Sequence, residues 1–434
     1  MPLRNILTIL IAAVVSLVCY QKATHNRFGF IVSHAMGIIE NNYIEEVEPR
    51  TLFENAMQGM VSELDEYSDY IGPEHFQQFQ QIIDQEFVGI GVVVEGPPEK
   101  DELRVVNPVF DSPAYRAGMR AGDVILEIDG VSTKSMDINA AVKRMKGLPG
   151  TTVTLLVRHA GQDVQPQRMS IERELIRTKS VLGDRLCEDG RWTYYLESEP
   201  GIGYVRITSF GEYTAHELGE VLQFQDHPVE ALILDLRGNV GGLLKAAIET
   251  SDMFIDGGVI VSMRGRTPGD EIVYTAKPED TIVDPSIPVI VLVDRYSASA
   301  SEIVAACLQD HGRALVAGQR SWGKGTVQNV IKLEHGTSAL KLTTAGYWRP
   351  SGHNIHRGKD AHDEDEWGVR PSPGLEVVLT DEQYGALYEQ RSARDVLSEE
   401  GGAQTPAADA PPSVPDLQLQ RAVDYLKEKL VPAT

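Results

Sequence analysis

VIVLVDRYSASASEIVAACLQD, residues 289–310, reads as a buried strand that runs into a helix across a cluster of small residues. The five aliphatic residues Val289 to Val293 do not alternate with polar ones, which suits a strand covered on both faces. Helix-forming residues take over from Glu302 to Asp310, and between the two lie Ser297, Ala298, Ser299, Ala300 and Ser301. Small side chains there leave room for the backbone of another chain. A serine on such a turn is expected to be exposed, near the positive end of a helix, with free N–H groups beside it to bind an oxyanion. Residue chemistry alone leaves the nucleophile open among Ser297, Ser299 and Ser301, although Ser301 is better explained as a helix cap.

A serine nucleophile needs a base, and no His-Asp pair is evident nearby. Lys324 lies in Trp322-Gly323-Lys324-Gly325-Thr326-Val327-Gln328, where glycines permit close approach and the flanks are apolar. A lysine desolvated in such a place gives up its proton more readily and can act as a general base.

Outward from this stretch, residues 202–379 alternate buried strands with helices, such as Ala231 to Leu236 before a helix from Leu243, and this predicts α/β layers. Residues 28–83 are helical in character, with Ile31, Ala35, Ile38 and Ile39 spaced three and four apart. Between them, 87–174 changes to short β-branched runs separated by Gly, Pro and Asp, a mostly-β domain. It opens with Phe87-Val88-Gly89-Ile90-Gly91, whose glycines let backbone N–H groups converge into a nest for a carboxylate. Residues 398–415 read as a flexible linker, and Leu417 to Leu430 again show helical spacing.

At 434 residues the chain is long enough for two or three domains, and its formal charge of -23 disfavours nucleic acid as a partner. The three cysteines, Cys19, Cys187 and Cys307, have no metal-ligand spacing; they read as buried thiols, Cys307 on the helix after Ser299. No metal is expected either at His353, His356 and His362, whose Asp- and Glu-rich surroundings suit a solvated acidic loop. Arg4 precedes an apolar run from Ile6 to Tyr20, an export signal or a membrane anchor, with the uncleaved anchor favoured. Either puts the rest of the chain outside the cytoplasm, on the periplasmic or cell-envelope side.

Two resemblances sharpen these expectations. Ser112-Pro113-Ala114, Ala117-Gly118, Ala121-Gly122-Asp123-Val124-Ile125 and Ile128-Asp129-Gly130 together resemble a bacterial PDZ domain, a fold that adds a peptide to a sheet edge while the nest holds its terminal carboxylate. The segment from Val289 to Gln328 resembles the core of the carboxyl-terminal processing peptidases, or tail-specific proteases, of serine peptidase family S41. That resemblance implies Ser299 as nucleophile, Lys324, 25 positions later, as base, and Gln328 as the residue that orients the lysine. It also implies an oxyanion hole from Ala300 and the Gly241/Gly242 backbone within Asp235-Leu236-Arg237-Gly238-Asn239-Val240-Gly241-Gly242. One departure is an apparent insertion, Arg357 to Trp367, after which Ser372 stands where the family usually has aspartate.

The fold so implied is multidomain α/β, a crotonase/ClpP-like protease core with an inserted mostly-β PDZ domain and a helical N-terminal region. Its expected limits are a signal peptide or anchor at 1–24, helices at 25–86, the PDZ-like domain at 87–174, the protease core at 175–397, a linker at 398–416 and a helix at 417–434. The implied activity is C-terminal recognition through Gly89, Ile90 and Gly91, followed by cleavage through an acyl-enzyme, with no cofactor. Expected partners are proteins with free C-termini, the membrane through the N-terminal segment, and a second copy or an adaptor protein. Two rivals are a noncatalytic PDZ scaffold and a crotonase-like acyl-CoA enzyme. The presence of serine, lysine and glutamine together argues against the first, and the export signal against the second.

Overall fold

The aliphatic run at 289–293 forms a strand, Val289–Val293, with all five residues buried. The computed structural model to which it belongs describes residues 3–24, 27–96, 102–160, 165–187, 189–224, 227–267, 269–395 and 414–430. The chain divides into two units, 1–76 with 328–343 and 77–327 with 344–434.

In the larger unit the main sheet has the order Val181–Leu182, Glu199–Ile207, Ala231–Asp235, Val289–Val293, Ala314–Gly318, and its last four strands are parallel. Leu232, Leu234, Val289, Val291 and Val293 share one core with Ala246, Ala247, Ile303 and Val304 from the helices Leu244–Asp252 and Ala300–Asp310. Ile233, Ile290 and Leu292 belong to a second core with Ala422 and Leu426 of the helix Leu417–Leu430. Cover on both faces explains why these strands read as unbroken apolar runs. Removing a side chain such as Leu292 would leave a cavity at a cost of about 2–5 kcal/mol.

A second, antiparallel sheet in this unit has the order Val92–Glu95, Leu103–Pro108, Val124–Ile128, Thr152–Arg158, Gln167–Glu172. Its core, with Ile90, Val105, Ile125, Leu155 and Ile171, is shared with Ala141 and Met145 of the helix Ile138–Met145. Asp137 caps that helix by accepting the N–H groups of Asn139 and Ala140. The expected β-rich block is present. Its opening residues, however, lie outside this sheet, because Glu86–Gly89 pairs with Glu174–Arg177 as a separate ribbon. Gly91, at φ +74°, then turns the chain where a Cβ would lie 2.3 Å from that of Ser112.

The insertion at 357–367 is a loop without regular structure, anchored by buried Ile355, Trp367 and Val369. Its acidic side chains are exposed, and His353 pairs with Glu366 at 2.7 Å. Ser372 is buried and makes two contacts with the Val316 backbone, donating its N–H to the Val316 carbonyl and accepting the Val316 N–H on its hydroxyl.

The smaller unit holds the helices Arg27–Asn42 and Pro49–Ser62, and the strand Asp69–Ile71 paired antiparallel with residues 339–341. Hydrogen bonds from Arg50 above all bring the Glu334 carboxyl down to about 2. The N-terminal apolar run is part of a helix, Leu3–Thr24. Among the described residues no helix is long and apolar enough to cross a membrane. Linker residues 398–413 and the side chain of Cys19 lie outside the described residues.

Candidate active site

Ser299 occupies the N-cap of the helix Ala300–Asp310 with φ 58° and ψ −113°. This is a region that a residue with a Cβ enters only at a cost of about 1–3 kcal/mol, so the surrounding contacts must impose it. The three serines of the turn are no longer equivalent. The Ser297 hydroxyl donates to the Leu236 carbonyl at 2.8 Å and accepts the Asp294 N–H at 2.9 Å. Ser301 donates to the Asn239 carbonyl at 2.8 Å. Ser301 is therefore not the helix cap the sequence suggested; it lies within the helix and bolts it to a neighbouring loop. The Ser299 hydroxyl instead faces the Tyr347 hydroxyl, whose pKa burial pushes up to about 12 against a lowering influence of Ser299. The expected exposure is also corrected, since Ser299 is only 7% exposed.

The neighbouring loop is Asp235 to Gly242. Asp294 accepts the N–H groups of Gly238, Tyr296 and Ser297, which joins this loop to the serine turn. Asn239 adds a second joint: its carbonyl accepts the Ala298 N–H, its Nδ2 donates to the Ile207 carbonyl, and its Oδ1 accepts the Gly241 N–H at 2.8 Å. Of the two glycines, then, Gly241 has its amide engaged. The N–H groups of Gly242 and Ala300 have no partner among the described residues. Gly241 must lack a side chain all the same, because a Cβ would lie 2.8 Å from that of Ser299.

Beneath this loop, burial favours a neutral Asp235, yet the Arg237 and Arg391 guanidiniums outweigh it and hold the carboxyl far below the usual range. Arg237 also donates to Asp416 at 2.7 Å, just before the helix Leu417–Leu430.

Lys324 is half-buried and is tied to the serine turn through Glu302. One oxygen of this fully buried carboxylate accepts the N–H groups of Ser299 at 2.8 Å and Lys324 at 2.9 Å. The other accepts the Ser321 hydroxyl and the Gly323 N–H, both at 2.6 Å. Burial pushes the Glu302 carboxyl up, and these four bonds oppose it. Gly325 is needed here because a Cβ would lie 2.2 Å from the His356 nitrogen.

Gln328 falls in the smaller unit, where its Nε2 donates to the Thr343 hydroxyl at 3.1 Å; that hydroxyl in turn donates to Asp65 at 3.0 Å. In the PDZ-like block, the Ile90 and Gly91 N–H groups have no partner among the described residues, and the next strand, Val92–Glu95, is at the edge of its sheet. Gly89 is held in the ribbon opposite Glu174, and the Ile90 side chain is in the core. Cys307 is buried, and desolvation pushes its thiol up to about 12. No group of three or more His, Cys, Asp or Glu suited to a metal occurs among the described residues.

The sequence reading passed over Glu302 and Tyr347. Ser299-x-x-Glu302 has the spacing of a capping box and was the available signal; nothing local singles out Tyr347.

A family model described as Peptidase family S41 matches residues 201–365, a PDZ domain model matches 104–159, and one described as Activating protease CtpB N-terminal domain matches 21–75. The carboxy-terminal-processing protease of Bartonella bacilliformis is 39% identical over 335 residues, 76% of this chain and 72% of that one. The carboxy-terminal processing protease CtpA of Bacillus subtilis is 35% identical over 322 residues, 74% of this chain and 65% of that one. The carboxyl-terminal-processing protease of Synechocystis is 34% identical over 306 residues, 70% and 68% of the two chains.

Proposed function

Because the chain belongs to peptidase family S41, with the carboxy-terminal processing proteases, and carries a PDZ domain, we propose that it is a serine endopeptidase that selects protein C-termini and cuts with a Ser299/Lys324 dyad. The observation that carries this reading is the Glu302 clamp, which binds the backbone of both residues although they are 25 positions apart in sequence. The core is read as crotonase/ClpP-like with the PDZ domain inserted ahead of it.

Lys324, neutral at rest, takes the Ser299 hydroxyl proton as the oxygen attacks the substrate carbonyl. Gly242 and Ala300 N–H groups, both without partners among the described residues, suit the oxyanion that forms. Lys324 then passes its proton to the leaving amine, and water hydrolyses the acyl-enzyme. Gln328 orients the lysine. The scheme needs no cofactor.

The Ile90 and Gly91 amides take the substrate's terminal carboxylate, and its preceding residues extend the Val92–Glu95 edge as a further strand. Arg4 and the apolar run behind it act as an export signal or an uncleaved membrane anchor, and either places the enzyme outside the cytoplasm.

The test is cleavage of an unfolded protein with an apolar C-terminus by wild type, Ser299→Ala and Lys324→Ala. Loss of cleavage in both variants with their folds intact is the expected result. Equal cleavage by all three, or none by wild type across several substrates, would overturn the reading in favour of a scaffold.

A further inference from the structure

The inserted loop packs on the segment that carries Lys324. The Arg357 N–H donates to the Gly323 carbonyl at 2.8 Å, and a Cβ on Gly323 would lie 2.8 Å from that of Arg357 and 2.9 Å from the Trp367 ring. A cavity of about 750 Å³ opens beside this contact, lined among others by Tyr296, Trp322, Arg295, Arg320, Arg357 and Arg370. Tyr296 is three residues from Ser299 and Trp322 two from Lys324, so chain length limits these separations to roughly 11 Å and 7 Å.

The cations of this cavity are poorly neutralised. Arg320 and Arg357 both lie over Trp367, with guanidinium carbons 3.3 Å and 4.5 Å from its ring centre. Arg320 and Arg370 donate to the backbone carbonyls of Asp363 and Asp365. Among the described residues, Arg320, Arg357 and Arg370 make no ion pair with a carboxylate. Asp363, Glu376 and Asp381 also line the cavity, but Asp381 is taken by Arg295 at 2.5 Å. The Arg295 Nε is buried without a hydrogen-bond partner. Burial first, then the charges of Arg370 and Arg357, lower the Arg320 pKa to about 10. In a chain with a formal charge of -23, a local excess of guanidinium beside the lysine loop is against the general trend.

We propose that the insertion builds a carboxylate-binding subsite, in which Arg357 and Arg370 take an acidic side chain of the substrate within about four residues of the cut bond, while Arg320, whose N–H groups donate to the carbonyls of Asp363, Asp365 and Trp367, adds its charge and fixes the loop. The inference rests on the protease reading and extends it to substrate class. Planar guanidiniums suit a carboxylate in two-point contact, and Trp367 keeps two of them in place. An exposed subsite of this kind is weakened by salt.

The experiment compares kcat/KM for paired peptides carrying Glu or Gln at each of the four positions on either side of the cut bond, with free and amidated C-termini. Wild type is expected to favour Glu about tenfold at one position or two adjacent ones, mainly through KM. Arg357→Gln is expected to reduce that ratio to below about threefold, Arg357→Lys to keep part of it, and 0.5 M salt to lessen it, all on the scale of a charge-assisted contact. If instead amidation causes the tenfold loss and Arg357→Gln removes the difference, the bound carboxylate is the chain end and the subsite stands. Equal rates for all Glu and Gln pairs with either chain end, or a preference untouched by Arg357→Gln, would overturn it while leaving proteolysis intact. No cleavage of any peptide would overturn the protease reading and the subsite together.

Discussion

Glu302 joins two loops through four hydrogen bonds on a carboxylate with no exposed surface. Replacing it with glutamine puts an amide N–H₂ where one oxygen had accepted N–H groups, and each buried donor left unpaired costs about 1–3 kcal/mol. The loops carrying Ser299 and Lys324 should then separate, and a shift of about 1 Å in a catalytic group costs roughly a hundredfold in rate. We expect Glu302→Gln to lower kcat about a hundredfold with a smaller change in KM, measured on a peptide that wild type cleaves. A variant with wild-type kcat would show that the clamp is not needed for positioning. The sequence made the serine turn legible because small residues followed a buried strand. It could not show that Ser297 and Ser301 are held by carbonyls of Leu236 and Asn239, since those contacts cross some sixty positions.

Among the elements, the helix Leu417–Leu430 has the longest reach relative to its sequence signal. Its spacing predicts a helix, but not that Ala422 and Leu426 cover the outer face of the main sheet or that Asp416 enters a buried ion cluster. Partner choice depends on distant residues, and periodicity reports only which face is apolar. Arg237 lies between Asp235 at 2.7 Å and Asp416 at 2.7 Å, with both of its own partners largely out of water. Removing one member of such a cluster leaves an uncompensated buried charge, at a cost of about 3–5 kcal/mol. Asp416→Asn should therefore shift the urea midpoint to lower concentration with little change in slope. It should also reduce kcat, because Arg237 begins the loop that ends at Gly242. An unchanged midpoint would mean that Asp235 alone satisfies Arg237.

Across the whole molecule, carboxyls with opposite shifts set the response to acid. Asp65 in the smaller unit is lowered because hydrogen bonds from Ser68, Tyr67 and Thr343 outweigh burial, and Glu334 is lowered chiefly by Arg50. In the larger unit, burial opposes but does not overcome the lowering of Asp235, Asp310 and Asp416 by arginines. These groups contribute stability above their unfolded values, near pH 4, and lose it as pH falls through their folded values. Asp252 and Glu302 are raised, chiefly by burial, so their penalty at neutral pH is relieved as pH falls through their folded values toward about 4. Partial neutralisation of the net charge of -23 acts in the same direction over that interval. The melting temperature should thus rise modestly from pH 7 to about 5 and fall steeply below about 4, as thermal melts in one low-salt buffer series would show. A continued rise to pH 3 would mean that charge repulsion and the two raised carboxyls outweigh the arginine-held ones. A fall beginning above pH 6 would implicate groups other than these carboxyls.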